Sequence, residues 1–222
     1  MNVEKTLYLC RHGKTEANEN GIVQGWHNPL SGCGIQQAAR LGYRLARIAE
    51  SSGMPFQHIY CSPMIRAKQT AYLANKPLSC LVTENADLIE CMNPTHFQGK
   101  SINEPDFIKY MTWFVDLFAQ SKQIYDEETF GMARERAFRA EQFLRDAPEM
   151  CAVVVTHGVF LRYLLCVMRY GASFSPEMFL QSGEEFENTV IVKVEYGAFR
   201  NPLRVGKKGW RVWVGDASHV AP

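Results

Sequence analysis

Leu7-Tyr8-Leu9-Cys10-Arg11-His12-Gly13-Lys14-Thr15-Glu16-Ala17-Asn18 is the stretch from which the rest of the chain is read. Leu7 to Cys10 form an apolar run of strand character that ends abruptly in a cation, an imidazole and a glycine. Open α/β sheets bind ligands in the crevice beyond the carboxyl ends of their strands, so Arg11 and His12 are expected where chemistry occurs. Gly13 lets the backbone turn tightly or approach a ligand closely. Thr15 and Asn18 add polar groups within one helical turn of each other.

A second stretch of the same design lies far downstream. Ala152-Val153-Val154-Val155-Thr156 is a β-branched run suited to a strand, and it ends in His157 and Gly158. The amphipathic segment Val159 to Tyr170 follows. Two strand-His-Gly-helix units in one chain can bring two imidazoles together at adjacent strand ends.

Arg11-His12-Gly13-x-Thr15-x-x-Asn18 is followed in order by Gln24-Gly25-Trp26, Pro29-Leu30-Ser31, Ser62-Pro63-x-x-Arg66-Ala67-x-Gln69-Thr70 and Thr156-His157-Gly158. This series resembles the histidine phosphatase superfamily, in the branch that holds the cofactor-dependent phosphoglycerate mutases. The resemblance implies a phosphohistidine mechanism with His12 as nucleophile, a substrate contact at Gln24 and an acidic residue at Glu90. The residues alone leave the choice of nucleophile between His12 and His157 open. The chain departs from the mutases after Glu90. Where they carry Gly-x-Trp-Glu-Gly, it reads Cys91-Met92-Asn93-Pro94-Thr95-His96-Phe97-Gln98-Gly99-Lys100-Ser101. That difference, with a length shorter than the mutases, favours a phosphomonoester hydrolase. A mutase is the alternative, and a non-catalytic phosphate-binding module the third reading.

The chemistry can be assembled from side chains. Phosphoryl transfer spreads negative charge over three equatorial oxygens, and arginines suit it because they stay charged and offer forked donors. Arg11 beside His12, and Arg66 in the first turn of a helix where free N–H groups favour an anion, are expected to clamp the group from two sides. Surrounding cations disfavour protonation of His12 and keep its lone pair free. His157 is expected to stabilise the transition state, with Asn18 and the Gly158 N–H as further donors. Glu90 is the expected general acid for the leaving oxygen, with Asp87 and Glu84 as alternatives. His27, His58, His96 and His219 lack ligand spacing, and no H-x-x-x-H or Cys/His cluster suggests zinc. The reaction is therefore expected to need no metal and no cofactor, and its partner is a small phosphomonoester.

Composition sets outer bounds. The 222 residues carry a formal net charge of +1, against a general nucleic-acid binder. Seven cysteines without a C-x-x-C pair read as reduced thiols of a cytoplasmic protein, and Cys10 and Cys61 as small buried hydrophobes. Met1 to Thr6 leaves no room for a signal peptide, and no apolar stretch is long enough to span a bilayer. Oligomeric state is not legible.

The expected fold is a single domain over residues 1–222. It is a three-layer α/β/α structure with a mostly parallel sheet, an antiparallel edge pair and a helical lid-like insertion. Helical periodicity places Ile35, Ala38, Ala39, Gly42, Leu45, Ala46 and Ile48 inward behind a Ser31 cap. Ser62-Pro63 is expected to open the next helix, and short strands are expected at 58–61 and 78–83. An aromatic helix over 104–122, as core or lid, carries Phe107, Tyr110, Met111, Phe114, Val115 and Phe118. The segment 131–147 reads as a charged helix with Ala133, Ala137, Ala140, Phe143 and Leu144 inward and its arginines solvated. A helix at 176–180 and strands at 189–195 and 210–214 close the chain.

Overall fold

The computed structural model describes residues 2–198 and 208–213; of Val115 and Asp116 only the backbone is described. Residues Val214 and His219 lie outside the described residues. Six strands form one sheet: β1 (Asn2–Arg11), β2 (His58–Cys61), β3 (Leu81–Glu84), β4 (Cys151–Thr156), β5 (Ile191–Ala198) and β6 (Lys208–Val212). Their order is β3-β2-β4-β1-β5-β6. The first four run parallel, whereas β5 is antiparallel to β1 and β6 antiparallel to β5. The antiparallel pair at one end of the sheet is the one expected from two apolar runs without a helix between them.

Side chains of a strand alternate between faces, and here each face feeds a separate core. Leu7, Leu9 and Val154 pack on one side with α5 (Phe130–Asp146) and α6 (Gly158–Tyr170). Tyr8, Cys10, Val153 and Val155 pack on the other with α2 (Gly32–Ser52) and α3 (Ile65–Asn75). All six residues of β4 are buried, as expected of a strand flanked by neighbours and covered on both faces. The result is the three-layer arrangement. Two shorter helices, α1 (Glu16–Glu19) and α7 (Pro176–Ser182), flank the sheet ends.

The aromatic helix α4 (Pro105–Phe118) is neither simple core nor detached lid. Phe107 and Tyr110 are buried with Val23 and Phe97 in a small core of their own beside the strand ends.

Several details differ from the sequence expectation, each for a packing reason. Helix α3 begins at Ile65 after Met64, so Ser62 is free of the capping role and its hydroxyl is used elsewhere. Ser31 does cap α2, accepting from Gly34 N–H, but Ile35 in its first turn is 45% exposed, and Leu41 is buried in its stead. In α5, Phe143 is 38% exposed and packs edge-to-face with Tyr60. Arg136, expected on a solvated face, is buried between the helix and the segment leading to Glu90. The Leu78–Thr83 strand begins instead at Leu81 because Asn75 brackets Cys80 in a turn, donating to its carbonyl and accepting its N–H.

Candidate active site

Parallel pairing of β1 with β4 sets Arg11 opposite Thr156. The next residues on the two adjacent strands are therefore His12 and His157, and their ring centroids lie 5.1 Å apart. His12 N–H donates to Thr156 O, which extends the ladder one step past the strand ends. Gly13 is required by the turn that follows, since a Cβ there would lie 2.6 Å from the Gly34 carbonyl oxygen.

The imidazole of His12 is 1% exposed and fixed at both nitrogens. Nδ1 lies 2.7 Å from the Gly13 carbonyl oxygen, which can only accept, so Nδ1 carries the proton. Nε2 is then the lone-pair nitrogen, and it accepts from Arg66 Nε–H at 3.2 Å. Arg66 also donates from Nη1 to Gly25 O at 2.8 Å. Burial first, then Arg66 and Arg11, hold the His12 pKa well below 6.5. The direction matches the sequence reading; desolvation, which the sequence did not reveal, is the larger cause. His157 is lowered in the same way, by burial and then by His12 and the nearby guanidiniums. Both rings are therefore neutral at pH 7. Burial also lowers the Arg66 pKa, to about 10, against the pull of Glu90.

Two donors at the mouth of α6 have no hydrogen-bond partner although buried: Arg11 Nε and His157 Nδ1. The first lies against Gly158, whose added Cβ would sit 3.3 Å from it. His157 Nε2 is 2.8 Å from Ser62 Oγ, which itself accepts from Met64 N–H. A buried polar group without a partner is costly in a folded protein. These two, on Arg11 and His157, together with the His12 ring and the Arg66 guanidinium, describe a receptor for an anion.

Glu90 stands beside this group. Its Oε1 accepts from Phe160 N–H and Cys91 N–H, both at 2.9 Å, and its Oε2 from Val159 N–H at a longer 3.3 Å. The carboxylate thus caps α6, whose own N-cap His157 makes no side-chain cap bond. Glu90 lines two clefts. One, of about 660 Å³, also holds Arg11, Gly158, Arg162 and the Glu184–Glu187 loop. The other, of about 300 Å³, holds Gln24, Arg66 and the α4 aromatics. The alternative acids are elsewhere: Asp87 pairs with Arg139 and Glu84 with Lys68, and neither lines these clefts.

Of the remaining expected residues, Gln24 lines the smaller cleft, where its Oε1 accepts from Thr15 Oγ1–H. Asn18 is spent locally: with Thr15 it forms the capping box of α1, which leaves its side-chain oxygen facing the Thr15 amide. His96 is exposed, tilted against Phe97 and edge-to-face with Tyr125, outside the lining of both clefts. Among the described residues no group of three or more His, Cys, Asp or Glu side chains is arranged to hold a metal ion.

Supporting residues escaped the sequence reading. Thr70 Oγ1 accepts from Gly13 N–H and donates to Arg66 O, tying the His12 turn to the Arg66 helix. Its place one turn after Arg66 was the available signal. Asn188 donates to His12 O, Thr189 N–H to Arg11 O, and the Arg11 guanidinium reaches Phe186 O. Thr189 takes a left-handed backbone (φ 61°) to do so, a strained conformation for a β-branched residue. Arg136 pairs with Glu128 and donates to the carbonyls of Asp87 and Ile89, fixing the backbone that presents Glu90. Its spacing from Ala133 and Ala140 on the inward stripe was the clue.

A mostly parallel α/β sheet with paired histidines at its two central strand ends, flanked by Arg11 of β1 and Arg66 of α3, defines an anion-binding α/β protein. The chain belongs to the histidine phosphatase superfamily (branch 1), whose family model matches residues 7–204. It is 36% identical over 224 residues to a Salmonella arizonae protein named "Probable phosphoglycerate mutase GpmB", covering 96% of this chain and 94% of that one. It is 30% identical over 167 residues to agropine synthesis reductase of Rhizobium rhizogenes, covering 73% of this chain but 35% of that protein. The matches to the first curated relatives span about a third of their length or less. Among solved structures, Bacillus stearothermophilus YhfR superposes with a TM-score of 0.73 at 28% identity, covering 98% of this chain and all of that one. Superfamily members act on small phosphorylated substrates. Among the described residues no helix is long and apolar enough to cross a membrane.

Proposed function

We propose that the protein is a phosphomonoester hydrolase working through a phosphohistidine on His12, without a metal or organic cofactor. The observation that carries the reading is the fixed tautomer of a buried, neutral His12. Gly13 O holds the proton on Nδ1, and Arg66 Nε–H marks the lone pair on Nε2. In the first step Nε2 attacks phosphorus in line, the N–P bond forms and the P–O bond to the leaving alcohol breaks. Arg11 and Arg66 bind the equatorial oxygens, and the unpartnered Arg11 Nε and His157 Nδ1 supply the added hydrogen bonds. With Ser62 Oγ–H donating a hydrogen bond to His157 Nε2, the ring carries its proton on Nδ1, where it can donate. Glu90 passes a proton to the leaving oxygen from Oε2, the less firmly bonded of its two oxygens. In the second step Glu90 takes a proton from water as the water oxygen attacks phosphorus and the N–P bond breaks. Gly158 N–H and Gln24 are further contacts, and Asn18 acts through the Thr15 cap.

A mutase, which returns the phosphoryl group to a second oxygen of the substrate, is the other reading. The full-length similarity to the Salmonella arizonae protein supports it. One experiment addresses both. Quench with base after a pulse of labelled p-nitrophenyl phosphate is expected to trap one acid-labile, base-stable phosphate per chain, absent in His12→Ala. Release as inorganic phosphate marks the hydrolase, and its reappearance on substrate the mutase. Wild-type turnover by His12→Ala excludes both, and activity is expected to be unchanged in EDTA.

A further inference from the structure

We infer that the substrate is the phosphate ester of an uncharged, apolar alcohol, whose organic group lies in the cleft between Arg66 and α4; this rests on the phosphatase reading. The cleft of about 300 Å³ is lined by Met64, Ile102, Phe107, Tyr110, Met111 and Phe114, next to Arg66 and Glu90. That volume stands at the lower end of small-ligand pockets. Among its described lining residues Arg66 is the one cation, and the transferred phosphoryl group takes it. The carboxylates that face the same space are Glu90 and Glu128, the latter held by Arg136. A carboxylate or second phosphate on the substrate would lose its water there and meet only neutral donors, the amides of Gln24 and Asn93 and the Tyr110 hydroxyl, with no second cation to balance its charge, which costs more than an apolar group gains by being buried.

The other cleft offers such an anion nothing better. It is bordered by Glu184, Glu185 and Glu187; of its two arginines Arg11 is taken by the phosphoryl group, and Arg162 is spent on Ser182 and on the carbonyls of Phe179 and Leu180. The transferred phosphoryl group therefore finds its cations at the end of β1 and the start of α3, while the rest of the substrate meets aromatic rings on one side and carboxylates on the other. Phosphoglycerates and bisphosphates fit neither.

The test is competition against p-nitrophenyl phosphate by ethyl, hexyl and 2-phenylethyl phosphates, alcohols of similar basicity, and by 3-phosphoglycerate. Hexyl and 2-phenylethyl phosphates are expected to compete on the order of 10–100-fold better than ethyl phosphate, the range that burial of an apolar group gives in a pocket, and 3-phosphoglycerate no better than ethyl phosphate. Met111→Lys and Ile102→Lys place a cation at half-exposed positions of the lining, and are expected to shrink the phenylethyl advantage and improve 3-phosphoglycerate. Equal competition by all four compounds, preference for 3-phosphoglycerate, or indifference to both lysine variants overturns the inference while leaving the phosphatase reading intact. Absence of p-nitrophenyl phosphate turnover instead removes the phosphatase reading itself.

Discussion

Arg66 Nε–H points at the Nε2 lone pair of His12 across 3.2 Å, so the expected nucleophile already meets one of the two arginines expected to clamp the phosphoryl group. The same guanidinium reaches Gly25 O with Nη1. A lysine ammonium is a point charge that cannot serve both directions in one plane. Arg66→Lys is expected to lower kcat/KM on the order of a hundredfold, about 2.7 kcal/mol of transition-state stabilisation. Steady-state kinetics on p-nitrophenyl phosphate decide it; a change under threefold places Arg66 away from the phosphate.

The two neutral histidines make stability depend on pH. Their folded pKa values are depressed from 6.5, so below pH 6.5 the unfolded chain binds protons that the folded chain refuses. Stability is therefore full above pH 6.5 and falls as pH drops toward the folded values, by about 1.4 kcal/mol per pH unit for each histidine. Chemical denaturation between pH 7 and 5 is expected to show this slope, and His12→Asn combined with His157→Gln to flatten it. An unchanged slope in the double variant assigns the acid lability to other groups.

Glu90→Gln keeps an oxygen to accept from the α6 amides but cannot shuttle a proton. If Glu90 is the acid, alkyl phosphates, which leave as basic alkoxides, are expected to lose about 10²–10⁴-fold in turnover, and p-nitrophenyl phosphate much less. Equal losses on both, with a lowered melting temperature, assign Glu90 to capping α6 alone.

Gly158→Ala tests the seat of Arg11. The new methyl would stand 3.3 Å from Arg11 Nε and 3.4 Å from its Cζ, so the guanidinium must shift by a few tenths of an ångström. A loss of about tenfold in kcat/KM is expected, since small misplacements of a positioning group are costly, with the melting temperature held within a few degrees. Wild-type kinetics would show that Arg11 tolerates the shift.

The elements that bear the chemistry were legible because local pattern and chemistry coincide in them. The apolar runs before Arg11-His12-Gly13 and His157-Gly158 are strands, and the residues that end them form the candidate site. Helical periodicity likewise located α2, α5 and α6, and the absence of a helix between the last two apolar runs gave the antiparallel pair. These depend on near neighbours in the chain, which a sequence states directly. What only the tertiary structure decided depends on residues far apart. Register between β1 and β4, 145 positions apart at Arg11↔Thr156, sets the distance between the two imidazoles. Burial of Arg136, the exposure of Phe143 and the diversion of Ser62 from cap to His157 follow from which surfaces face each other. The lowered pKa of His157 and the larger cause of that of His12 follow in the same way: dehydration of an imidazole is a property of everything packed around it, and no stretch of sequence contains it.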